Sequence, residues 1–277
     1  LNSNYYDCRF DNAQFLENST ESFKFNSTIQ EIDKADAILL IGSNPRWEAA
    51  VLNARIRKAY IENNCKIGLI GPNVDLTYKY EHLSDSLEYL NELCNNKTDF
   101  NKVLDKAKNP LIILGTSAIN NKFGKKILET SALLAKNIQK NKNINPLNIL
   151  NQDISRVGAL ELQFFNKNFD NDYNAELKKH IDINKPVVFL MSLDEINLST
   201  LENAFVVYLG HHGDKSASIA DVILPTPAYT EKSSTFMNIE GRVIQTTKCH
   251  NPMGEAREEW KIFRVLSDLI NKKLEFN

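Results

Sequence analysis

Between Ala220 and Arg242 the chain reads ADVILPTPAYTEKSSTFMNIEGR, with Asp221, Pro225, Glu231, Asn238, Glu240, Gly241 and Arg242 in close order. An apolar run closes in two prolines and gives way to carboxylates, an amide and a guanidinium, as the rim of a binding site would. Glu231 and Glu240 could work as an acid–base pair, although no nucleophile or third orienting group accompanies them. The competing reading makes them caps and salt bridges around an ordered loop.

Other residues carry weaker signals. Gly42-Ser-Asn44-Pro-Arg46 could offer backbone amides to a phosphate at a helix start. It is neither a dinucleotide fingerprint nor a P-loop, so a plain strand-to-helix turn competes with that reading. His211-His212 could be a metal pair, but adjacent residues on extended backbone point to opposite faces, and no nearby Cys or Glu completes a set. Arg55, Arg57 and Lys58 form a basic cluster that is either a solvated helix face or a docking patch. Cys8, Cys65, Cys94 and Cys249 show no metal-ligand or cluster spacing, and they read as reduced structural thiols.

The elements that must position these groups alternate. Asp36–Gly42, Cys65–Ile70, Pro110–Leu114, Pro186–Met191, Phe205–Leu209 and Asp221–Leu224 read as short buried strands. Residues 46–62, 121–138 and 255–273 read as helices, the last with Trp260, Phe263, Leu266 and Ile270 on one face. The order implies an α/β fold of mostly parallel sheets with flanking helices in Rossmann-like lobes. Five loops follow strands, where ligands bind in such folds: Gly42–Pro45, Gly71–Asn73, Gly115–Ser117, Gly210–Gly213 and Pro225–Pro227. The expected division is an irregular arm over 1–30, a first lobe over 31–140 and a second over 141–277, with the Asn/Lys-rich segment 136–146 as linker.

A net charge of -2 removes bulk electrostatics as a reason to bind nucleic acid, and no apolar run is long enough to span a bilayer. The sequence begins at Leu1 without secretory order, as a processed or incomplete N-terminus would.

Two stretches together are specific. ADAILLIGSNPRWEAAVLNARIRKAY, followed by KIGLIGPNVDLTYKYEHL, is the first. The second runs from GHHGDKSASIADVILPTP through NIEGRVIQ to EEWKIFRVLSDL. They resemble the molybdopterin-oxidoreductase-like, C-terminal region of the largest iron–sulfur subunit of respiratory complex I, in its mitochondrial form, over about residues 30–270. The resemblance implies that Asp221, Pro225, Glu231, Asn238, Glu240, Gly241 and Arg242 occupy positions that in active superfamily members frame a pterin–guanine dinucleotide. Gly42, Asn44 and Gly71 would belong to the same frame.

Three departures point to an empty, vestigial pocket. Gly71 stands where active members carry an acidic residue for the ribose. None of the cysteines suggests a metal ligand. Glycine is scarce, at 10 residues, for a chain that must approach a large phosphorylated cofactor closely. The resemblance implies a chain without cofactor, metal or catalytic residues, whose partner subunits hold iron–sulfur clusters and FMN. It further implies a place in the peripheral arm on the matrix side of the mitochondrial inner membrane, next to a cysteine-rich iron–sulfur subunit. The cysteine-rich half is absent from the sequence, so a split subunit is expected, a fragment being the alternative. A molybdopterin-dependent oxidoreductase and a free-standing nucleotide-binding protein are the competing functions.

Overall fold

A computed structural model describes residues 3, 5–139, 144–166 and 173–274. Close packing divides the chain into two units, neither continuous in sequence. One comprises Asn12–Phe164 and Met237–Arg242; the other comprises Leu1–Asp11, Phe165–Phe236 and Val243–Asn277.

The first unit is built on a parallel sheet. Its strands are β1 (Ala37–Ile41), β2 (Lys66–Ile70), β3 (Glu81–Ser84), β4 (Pro110–Gly115) and β5 (Leu147–Leu150), in the order β3-β2-β1-β4-β5. Helices α1 (Pro45–Glu48), α2 (Ala50–Glu62), α3 (Tyr89–Cys94), α4 (Asp99–Lys106), α5 (Thr116–Ile119), α6 (Gly124–Gln139) and α7 (Arg156–Glu161) connect and flank the strands. Every residue of β1 is buried. Leu39 and Ile41 pack with Leu93, Phe100 and Leu128, whereas Ile38 and Leu40 pack with Leu52, Ile56 and Ile32. A strand covered on both faces has no polar side, which is why AILLI is a continuous apolar run.

The second unit holds β6 (Val187–Met191), β7 (Phe205–Gly210) and β8 (Val222–Pro225), parallel and in the order β6-β7-β8. It also holds α8 (Tyr173–Asn184), α9 (Lys215–Ile219) and α10 (Glu259–Leu269). Val206, Tyr208 and Leu190 form its core with Ile181, Ile196 and Leu201. Strands β9 (Thr235–Met237) and β10 (Val243–Gln245) pair as a hairpin. Among the described residues, no helix is long and apolar enough to cross a membrane.

The α/β reading stands, and several boundaries differ. The expected lobes of 31–140 and 141–277 give way because β5 joins the first sheet and carries that unit on to Phe164. Of the expected linker, 136–139 lie in α6, 140–143 fall outside the described residues, and Leu147 begins β5. The expected irregular arm over 1–30 is divided between both units, and within it Phe23 and Phe25 are buried in the core. Thr28 and Glu31 close a capping box on the 3-10 turn Ile29–Lys34. The expected helix over 46–62 breaks at Ala49, whose φ of -154° is extended. The last helix is shorter than 255–273; Phe263 meets Phe189 at 5.6 Å between ring centroids, while Trp260 faces outward, 47% exposed.

Candidate functional site

In the first unit, Gly42, Gly71 and Gly115 bring three strand ends into backbone contact. A Cβ on Gly115 would lie 2.3 Å from the Gly42 carbonyl oxygen, and one on Gly42 would lie 2.6 Å from the Ala118 Cβ. Gly42 also needs its positive φ of +51°. The Ser117 hydroxyl donates to the Gly42 carbonyl. Glu48 folds back onto the same loop: Oε1 accepts the Asn44 N–H at 3.0 Å and Oε2 the Ser43 hydroxyl at 2.9 Å. A carboxylate of the chain itself thus takes the donors that the loop would offer a phosphate, and the strand-to-helix turn is the reading this geometry favours. The Asn44 Oδ1 is buried without a partner. At Gly71 the carbonyl meets the His82 Nε2 at 2.8 Å.

In the second unit, Asp221 bridges the starts of two strands. Its carboxylate accepts the Val206 N–H at 2.8 Å, and its own N–H donates to the Val206 carbonyl at 2.9 Å. The Pro225 carbonyl accepts the Arg257 N–H. Glu231 accepts the Ala228 N–H at 3.0 Å and closes its own turn. His211 and His212 are exposed, with rings 4.5 Å apart edge to face, not on opposite sides, because β7 has ended at Gly210 and the backbone turns. Among the described residues, no group of three His, Cys, Asp or Glu side chains could hold a metal ion.

Asn238, Glu240, Gly241 and Arg242 form the hairpin tip, which packs with the first unit. The Glu240 carboxylate accepts the Ile29 N–H and the Asn238 side-chain amide. The Asn238 Oδ1 accepts the N–H groups of Glu240 and Arg242 at 3.1 and 2.9 Å. Arg242 lies 3.6 Å from Glu240, with its side chain 66% exposed. Glu231 and Glu240 therefore fall in different units, and each serves a backbone amide. Of the five strand-end loops, three follow the first sheet and two the second.

The basic cluster is engaged within the chain. Arg55 and Lys58 each reach Asp33 at 3.0 Å, and Arg57 donates to the Thr77 carbonyl. The Lys58 hydrogen bond is the largest influence on Asp33, which stays below its usual carboxylate range despite some burial, with Arg55 assisting.

Sequence reasoning passed over Glu48, Asp33 and Asp214. Asp214 caps α9 through the Ala217 N–H at 3.1 Å and accepts the Tyr208 hydroxyl. Burial alone would raise its carboxyl, but Tyr208 and the Ala217 and Ser216 amides outweigh burial and lower it. The signal was present: an Asp directly before a helix is a strong cap.

A family model described as molybdopterin oxidoreductase matches residues 1–269. The chain is 41% identical over 269 residues to the NADH-ubiquinone oxidoreductase 75 kDa subunit of Reclinomonas americana, covering 96% of this chain and 38% of that protein. It is 41% identical to the mitochondrial 78 kDa subunit of Candida albicans, covering 92% of this chain and 34% of the relative. It is 38% identical to the mitochondrial NADH dehydrogenase [ubiquinone] iron-sulfur protein 1 of Solanum tuberosum, with 91% and 33% covered. The chain thus spans little more than a third of the length of these relatives. Among solved structures it is similar to acetylene hydratase from Pelobacter acetylenicus, with a TM-score of 0.60 at 14% identity, over 88% of this chain and 50% of that one. At that identity the likeness shows the fold alone.

Proposed function

The chain belongs to the molybdopterin oxidoreductase family, and from that premise we propose that it is a non-catalytic architectural subunit of respiratory complex I. It sits in the peripheral arm, on the matrix side of the mitochondrial inner membrane, and supports electron transfer from NADH to ubiquinone coupled to proton pumping. It carries no cofactor or metal of its own. Iron–sulfur clusters and FMN belong to partner subunits, foremost a cysteine-rich iron–sulfur subunit.

The observation that carries the reading is the near-40% identity, over almost the whole chain, to proteins named as subunits of NADH-ubiquinone oxidoreductase. The side chains at the family's motif positions support the non-catalytic part. Asp221, Glu231, Asn238 and Glu240 all bind the chain's own backbone, and Glu48 occupies the loop after β1. As they stand, these residues do not fit a pterin dinucleotide.

Native purification tests the proposal. The chain should co-purify with a cysteine-rich iron–sulfur protein and further complex I subunits, and the isolated chain should hold neither molybdenum nor tungsten. A stable chain with no affinity for other arm subunits would refute the structural role. Stoichiometric molybdenum or tungsten, or released pterin fluorescence, would establish the competing reading of a molybdopterin-dependent enzyme.

A further inference from the structure

We infer that the Asn238–Arg242 tip, where the family motif would frame a cofactor, works in this chain as a clasp that finishes the edge of the five-stranded sheet. Strand β5 is the outermost strand on its side. An open parallel edge exposes unpaired amides and carbonyls and has to be covered. Here the covering is built from two distant pieces of chain. Phe25 forms an antiparallel bridge with Asn148, and the Ile149 N–H donates to the Lys24 carbonyl at 2.9 Å. On the far side of that segment, the Phe25 N–H donates to the Ile239 carbonyl at 2.8 Å. The order across the edge is therefore β5, then Lys24–Phe25, then Ile239.

Glu240 locks this layer. One carboxylate oxygen takes the Ile29 N–H, an orphan donor at the start of the 3-10 turn, and the other takes the Asn238 side-chain amide. Asn238 in turn accepts two amides of the tip and holds it as a closed loop. Gly241 permits that loop with a φ of +83° and passes the Lys24 side chain, from which an added Cβ would stand 3.5 Å. Ile239 packs against the core that contains Phe25 and Ile32. Glu240 is thus a positioning residue of the fold, and a nucleotide that recruited its carboxylate would have to open the sheet edge.

Amide hydrogen exchange on the full chain, read by NMR, tests it. In Glu240→Ala the amides of Ile29, Phe25 and Ile149 should all exchange faster, by about tenfold, because the clasp opens as one unit. Leu39 and Leu40 in β1 should be unchanged, which reports an intact fold. Glu240→Gln retains an acceptor oxygen and should fall between. Faster exchange at Ile29 alone, or at none of the three, overturns the clasp. A measurement on the wild-type chain keeps the test decisive if Glu240→Ala does not fold. Guanosine diphosphate at millimolar concentration should leave exchange at Asn238–Arg242 unaltered, and protection of those amides by the nucleotide overturns the inference.

Discussion

At Gly115 the chain tolerates no side chain. The Gly42 carbonyl oxygen would stand 2.3 Å from its Cβ, and both partners are backbone at the ends of central strands, so neither can move aside cheaply. Gly115→Ala should destabilise the fold by at least about 1–3 kcal/mol, seen as a lower urea midpoint. The thiols divide in the same residue-by-residue way. Burial pushes the Cys65 thiol up to about 12, whereas Cys249 is exposed. Iodoacetamide at pH 8 should modify Cys249 promptly and Cys65 only on unfolding, as peptide mass mapping would report. Equal rates at the two positions would contradict this. The sequence shows which residues are polar but not what they meet. Glu240, read as half of an acid–base pair or as a cap, is legible as a cap only once Ile29 is known to lie beside it.

Asp33 shows how one element leans on another. It lies on the 3-10 turn Ile29–Lys34 and takes Lys58 and Arg55 from α2. Lys58 and Arg55 hold its folded carboxyl below the usual carboxylate range, so its contribution is complete above the unfolded value of about 4 and is lost as the pH falls through the lowered folded value. The thermal stabilities of wild type and Asp33→Asn should therefore differ by a constant amount from about pH 5 to 8 and converge as the pH falls through the lowered value, on the acid side of the usual carboxylate range. Convergence at high pH instead would reverse the assigned sign. Elements buried on both faces were the legible ones: AILLI and PLIILG announce β1 and β4 by unbroken apolar runs. Glu81-His-Leu-Ser84 did not read as a strand, since at the exposed edge of the sheet it needs little apolar surface. No Gly or Pro announces the break at Ala49. It follows the residue that folds back onto Ser43 and Asn44, a tertiary arrangement with no local signature.

Over the whole molecule, the boundary that sequence could not supply is a matter of return visits. Asp7 accepts the Asn166 N–H at 3.0 Å and pairs with Arg9, which donates to the Asn166 carbonyl, so the N-terminal residues complete the unit that resumes at Phe165. The tip Met237–Arg242 completes the other. A chain divided between Phe164 and Phe165 should thus give two poorly dispersed amide spectra when its pieces are made apart, and a native-like spectrum when they are mixed. Two sharp, folded spectra from the separate pieces would show that neither return visit matters. The general α/β character was open to pattern reading because it depends on local periodicity. The partition was not, because it rests on contacts between residues far apart in the chain.

That interleaving also sets a timetable for a chain emerging from the ribosome. Domains generally fold as units during synthesis, at about 5–20 residues per second. Here the five-stranded sheet is fully synthesised by Phe164, yet the tip that clasps Lys24–Phe25 at its edge follows only after β6, β7 and β8 of the other unit. For several seconds the Lys24–Phe25 segment that lies along β5 lacks its own outer cover, and the Phe25 amide is open to pairing with whatever strand is nearby. The same late arrival places the slow, high-separation contacts at the end of folding. A holding chaperone would be needed most in that interval.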